Sequence, residues 1–128
     1  MHLGVITSKK VKKPRSVARD LAFDVMFGAS NLLTVSFLYR DILLAGAVLV
    51  ILAALALFYR RSRIMVPVFI FGMVFGTFAE VFAVHLGAWS YASPDFLGVP
   101  IWLFVLWGNA GLLFYMVAME FERLGFCR

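Results

Sequence analysis

The chain has 128 residues, 63% of them hydrophobic and only 15% charged, with a formal net charge of +5. A polypeptide this short has too little interior to hide 14 Phe, 3 Trp and long runs of Leu, Val and Ala, so the composition excludes an ordinary soluble domain and makes a bilayer the natural solvent. The single cysteine, Cys127, excludes an internal disulfide scaffold, and the basic residues flank apolar runs instead of lining an aromatic groove, which argues against a nucleic-acid partner.

Residues 1–15 carry Lys9, Lys10, Lys12, Lys13 and Arg15 around Pro14, with no apolar run of the signal-peptide kind, and read as a basic tail beside a membrane. Ser16 is placed to cap a first helix, about 17–39, whose span from Leu21 is apolar except for Asp24, Ser30, Asn31, Thr34 and Ser36. Arg40 and Asp41 leave room only for a tight turn before a second, uncharged helix, about 42–59, which ends at Arg60, Arg61 and Arg63. Only Gly46, Ala53 and Ala54 offer close contacts there, as suits a scaffold helix. A third helix, about 64–86, has Pro67 in its first turn and then Gly72, Gly76 and Glu80. The stretch 87–100, with Trp89, Tyr91, Pro94, Asp95, Gly98 and Pro100, has the turn formers and rings of an interfacial loop. The fourth helix is expected over about 101–119, after which Glu120, Glu122, Arg123 and Arg128 return the chain to water.

The fold class expected is all-α: a polytopic membrane helix bundle, one domain over 16–128 with four transmembrane helices. Of the 12 Lys and Arg residues, only Arg40 falls on the loop side, so the positive-inside rule places both termini in the cytoplasm of a multi-pass protein of the cell membrane. A three-span arrangement, with the polar first helix lying on the surface, is the competing topology.

Glu80 is the residue that matters most for chemistry. It lies about 9 Å inside the loop end of the third helix at 1.5 Å per residue. An acidic group near mid-membrane costs about 2.5 to 3.5 kcal/mol, so Glu80 must be protonated, partnered or facing a wet cavity. Gly72, Gly76 and Glu80 share one helix face, where the glycines let a neighbouring backbone come close and the carboxyl points into the bundle. Asn31 and Asn109 are its candidate partners by depth. For these two amides simple helix-to-helix bonding is the leading reading, as an ordinary interfacial charge is for Asp24; for Glu80 a functional role leads. His85 is turned about 140° from Glu80 on an ideal helix, and no further His lies near, so neither a metal nor any other cofactor is expected. Trp89, Tyr91, Trp102 and Trp107 are interfacial anchors that could also wall a flat lipophilic ligand.

Glu80, the GAWSY run with Gly87, Trp89 and Tyr91, the LGVP run with Gly98, Val99 and Pro100, and Trp107 together resemble part of the carotenoid hydratase family of membrane proteins. That resemblance implies a site for a long polyene, with Glu80 as a candidate catalytic acid and Trp89, Tyr91 and Trp107 as candidate ligand contacts at its border; Asn31 and Asn109 are further candidate ligand contacts from their depth beside Glu80, apart from the resemblance. In size, helix number and a single embedded glutamate the chain also resembles the small multidrug resistance transporters, whose glutamate is in the first helix and not the third.

Three functions follow, in order of expectation. The first is a non-catalytic accessory or assembly subunit, with other membrane subunits or copies of itself as partners in the bilayer. The second is an enzyme or binder of a lipophilic isoprenoid-like molecule that uses Glu80 as acid. The third is a proton-coupled exporter acting as a homodimer.

Overall fold

A computed structural model describes residues 16–125; the basic tail 1–15 with His2, and residues 126–128 with Cys127 and Arg128, lie outside the described residues. The Ser16 hydroxyl accepts a hydrogen bond from the Arg19 N–H at 3.3 Å and starts α1, Val17–Leu38. After a short turn the Asp41 carboxylate accepts from the Leu44 N–H at 3.1 Å and starts α2, Ile42–Arg60. Arg61 then takes a left-handed backbone, with φ of 51°, and its N–H bonds to the Leu57 carbonyl, which stops α2. α3 is Met65–His85, with Pro67 in its first turn where no internal bond is lost. In the loop that follows, Gly87 and Gly98 have φ of 83° and 86°, and the Asp95 carboxylate accepts from the Ile101 N–H at 2.6 Å. α4, Trp102–Arg123, continues well past Met119, the expected end of the fourth helix.

The described residues form an all-α bundle of four helices, each long and apolar enough to cross a membrane. α1, the most polar, still has a mean hydropathy of 1.5 and packs on both α2 and α4, so it is part of the bundle and not a surface segment. α4 is the hub: it contacts α1, α2 and α3, and α1 also packs on α2, while α3 relies mainly on α4. One end of the bundle gathers the start of α1 and the ends of α2 and α4, and is here termed the charged end; the other carries residues 86–101 and is the loop end. Near the charged end Phe27, Ala56, Met65, Leu112 and Met116 form an apolar cluster. Near the loop end Ala45, Leu49, Val99, Trp102 and Leu103 form a second.

The closeness of α3 and α4 rests on missing side chains. A Cβ on Gly72 would lie 2.7 Å from the Trp107 carbonyl oxygen, one on Gly111 would lie 3.1 Å from the Val68 carbonyl oxygen, and one on Gly76 would enter the Trp107 ring. Gly46 differs, because an added Cβ would find its nearest neighbour at 4.0 Å. Gly76→Ala is therefore expected to destabilise the bundle by about 1–3 kcal/mol through overpacking, whereas Gly46→Ala leaves the unfolding midpoint in detergent unchanged or slightly raised.

Candidate functional site

Polar side chains collect at three depths. At the charged end, Asp20 and Asp24 are one turn apart on α1 and face Arg60 at the end of α2, and Glu120 and Arg123 come from the last turn of α4. Asp20, Asp24 and Glu120 are all fully buried. The Arg60 guanidinium donates from Nη2 to both Asp24 oxygens, at 3.0 and 3.1 Å, and to Glu120; its Nη1 lies 3.6 Å from Asp20. Arg123 Nη1 donates to Asp20 at 2.6 Å and to Glu120 at 2.9 Å, and the Tyr59 hydroxyl donates to Asp20 at 2.9 Å. The Tyr59 ring stacks on Phe23 with centroids 4.0 Å apart. Opposite charges within hydrogen-bond reach offset the loss of water that burial imposes on each of them.

At mid-height the Asn109 amide of α4 donates to Asn31 Oδ1 on α1 at 2.7 Å and to the Leu49 carbonyl on α2 at 3.0 Å. One side chain thus joins three helices. Both Asn residues are buried, and their hydrogen bond joins α1 to α4.

Glu80 is elsewhere. Its Oε1 accepts from Trp89 Nε1 at 2.9 Å and from the Tyr91 hydroxyl, so the carboxylate ties the end of α3 to the loop that follows it. The expected meeting of Glu80 with Asn31 and Asn109 is therefore corrected: the two amides pair with each other and the carboxyl turns to the loop, because two indole and phenol donors reach it nine and eleven residues along the chain. Tyr91 also meets Trp102 edge-on, with centroids 6.5 Å apart, and Trp102 Nε1 donates to the Tyr39 carbonyl at 3.2 Å. Trp107 packs against Gly76 and helps line an outward-facing groove of about 600 Å³ with Phe71, Phe75 and Phe114. A second apolar groove, of about 500 Å³, lies between α1 and α4 and is lined by Val25, Leu113, Val117 and Phe121. Glu80 lines neither.

The ion network was not evident as a site in the sequence. Asp24 read as an interfacial charge and Glu120 and Arg123 as the return to water; the longer α4 carries both into contact with α1 and α2. Two signals were present: the four-residue spacing of Asp20 and Asp24 on one α1 face, and an arginine at the end of the otherwise blank α2.

Comparison with protein-family models, curated proteins and solved structures finds no match to this chain. Its class is that of a four-helix, all-α bundle with membrane-spanning lengths and hydropathy.

Two measurements follow. Arg60→Met leaves three buried carboxylates with one guanidinium, and is expected to cost about 3–5 kcal/mol, read as a steep fall in folded yield; Arg60→Met combined with Asp24→Asn is expected to recover part of it. Burial, then the hydrogen bond and charge of Glu80, push the Tyr91 hydroxyl well above its ordinary value of 10.0. The folded chain holds that proton more tightly than the unfolded one. Its contribution to stability is therefore complete below pH 10.0 and is lost as pH rises beyond it. In a phenolate absorbance titration, the difference between the native chain and Tyr91→Phe is expected to show a step later than that of a free phenol.

Proposed function

We propose that this chain is a non-catalytic accessory or assembly subunit of a larger membrane complex, inserted in the cell membrane with its charged end and both termini in the cytoplasm. The observation that carries this reading is the division of its surface. Polar side chains in the spans are spent on holding the chain's own helices together, while the open surface between α3 and α4 is an apolar groove. α3 is the helix least covered by its own chain, with 11% of its span window buried against 33% for α4. The groove extends from Pro67 to Ala79 on α3, about 18 Å at 1.5 Å per residue, a length that takes several turns of another helix. Gly72, Gly76 and Gly111 on its floor are taken up by the contact of α3 with α4, which leaves Phe71, Phe75 and Phe114 as its outer walls. Orientation is supported by the basic residues among those described: Arg40 lies at the loop end, whereas Arg19, Arg60, Arg61, Arg63 and Arg123 lie at the charged end.

A second reading, a binder or enzyme acting on a lipophilic isoprenoid-like molecule, draws on the volume and aromatic lining of the same 600 Å³ groove and on the carotenoid hydratase resemblance. One experiment separates the two. A photo-crosslinking amino acid is placed in native membranes at Phe75 or Phe114 in the groove, and at Leu43 or Phe58 on the outer face of α2, all of them exposed. The subunit reading expects one discrete protein adduct from the groove positions and only lipid adducts from α2. A small lipophilic adduct at Phe75 and Phe114 selects the second reading, and ordinary lipid at all four positions defeats both.

A further inference from the structure

At the loop end a hollow of about 300 Å³ lies between the end of α1 and the loop that precedes α4. Its wall includes Ser36 and Tyr39 from the end of α1, Ser90, Tyr91 and Ser93 from the loop, and Trp102 at the start of α4. Ser36 and Ser90 are exposed, so the hollow is reached from outside. The hydrogen bonds that fix this corner do not use the three serine hydroxyls: Glu80 is held by Trp89 and Tyr91, Asp95 by the Ile101 N–H, and the Tyr39 carbonyl by Trp102.

The charges around the hollow favour a cation inside it. Asp41 and Asp95 lie two residues beyond Tyr39 and Ser93, and Glu80 is hydrogen-bonded to Tyr91. Each of these carboxylates is held by neutral N–H or O–H donors, so its charge is not cancelled. α1 adds the negative end of its dipole. Tyr91 donates its proton to Glu80, which enriches its ring in electrons, and the faces of such rings attract ammonium groups. Arg40, the one guanidinium among the described residues at this end, is exposed and is not part of the wall; its Cζ lies 5.5 Å from the centroid of the Tyr39 ring.

We propose that this hollow holds the headgroup of an ethanolamine phospholipid, with its ammonium among the serine hydroxyls and tyrosine rings and its phosphate on Arg40 at the rim. The acyl chains then run along α1 past Leu33 and Phe37, both exposed. Each part of the molecule has its counterpart. An anionic headgroup would meet three uncompensated carboxylates with Arg40 alone in its favour. A trimethylammonium group has no N–H to give, whereas a primary ammonium donates three hydrogen bonds and a hydroxyl accepts them. Free ethanolamine has neither a phosphate for Arg40 nor chains for α1. The volume is at the small end of the range for ligand pockets, which suits a headgroup. This inference needs the loop end to lie at a bilayer surface, and does not depend on the α3–α4 groove or on the subunit reading.

The test uses the full chain in detergent micelles, titrated with dioleoyl phosphatidylethanolamine, with the choline and glycerol headgroup lipids of the same chains, and with free ethanolamine. Bound molecules are counted by native mass spectrometry. One saturable site per chain is expected for the ethanolamine lipid, about tenfold or more tighter than for each of the other three probes. Arg40→Gln is expected to weaken it by about tenfold, the loss of one charge-assisted contact to phosphate. Ala92→Trp, at an exposed loop position in the wall, is expected to fill the hollow and abolish saturable binding with helical circular dichroism unchanged. Should that variant not fold, Ser36→Trp closes the hollow from the α1 side. Equal affinity for the ethanolamine lipid and any of the other probes, no saturation, no loss on Arg40→Gln, or full binding by a folded blocking variant overturns the proposal.

Discussion

Three carboxylates can be removed from water at the charged end only because two guanidiniums face them. Arg60 reaches Asp24 and Glu120 directly and stands beside Asp20, which Arg123 and Tyr59 also hold. Breaking any one of these contacts strands a partner in a medium that solvates charge poorly, which makes the network a strict constraint on helix register. It joins α1, α2 and α4. α3 takes no part in it and is held by a different physics, the close contact of glycine-bearing faces with α4, where dispersion and not charge does the holding. The bundle is thus three helices locked by polar contacts and a fourth applied to their hub.

That division explains what could be read from the chain and what could not. Apolar runs of spanning length and the turn formers between them are local properties, so the four helices, the Ser16 cap and the glycine face of α3 are all legible in sequence. Partnership between charges far apart in sequence is not local. Asp24 and Arg60 are 36 residues apart and Asp20 and Arg123 are 103 apart, and only the antiparallel course of α1 and α2 and the extra turn of α4 bring them together. Charges near the end of an apolar run give the same sequence signal whether they face headgroups or one another.

Glu80 shows the converse case. Its depth made it the residue with the most chemical promise, because an isolated carboxylate inside a membrane demands a reason. The reason present in the structure is a pair of donors, Trp89 and Tyr91, supplied by the loop that α3 itself leads into. A carboxylate engaged by two neighbours of its own segment fixes the direction in which the chain leaves the helix. It thereby sets Tyr91 against Trp102 and helps close the loop over the start of α4. Trp89 and Tyr91 of the GAWSY run therefore have a structural task of their own.

The amide pair at mid-height leaves an acceptor unsatisfied, where the charged end leaves a donor, Arg60 Nε. At the charged end each carboxylate has a cationic partner, and at the loop end Glu80 has two donors, but Asn109 gives two hydrogen bonds and receives none at Oδ1. Helix-to-helix bonding accounts for its nitrogen, which joins α4 to α1 and α2, and the same close packing shuts its oxygen away from any probe the size of water.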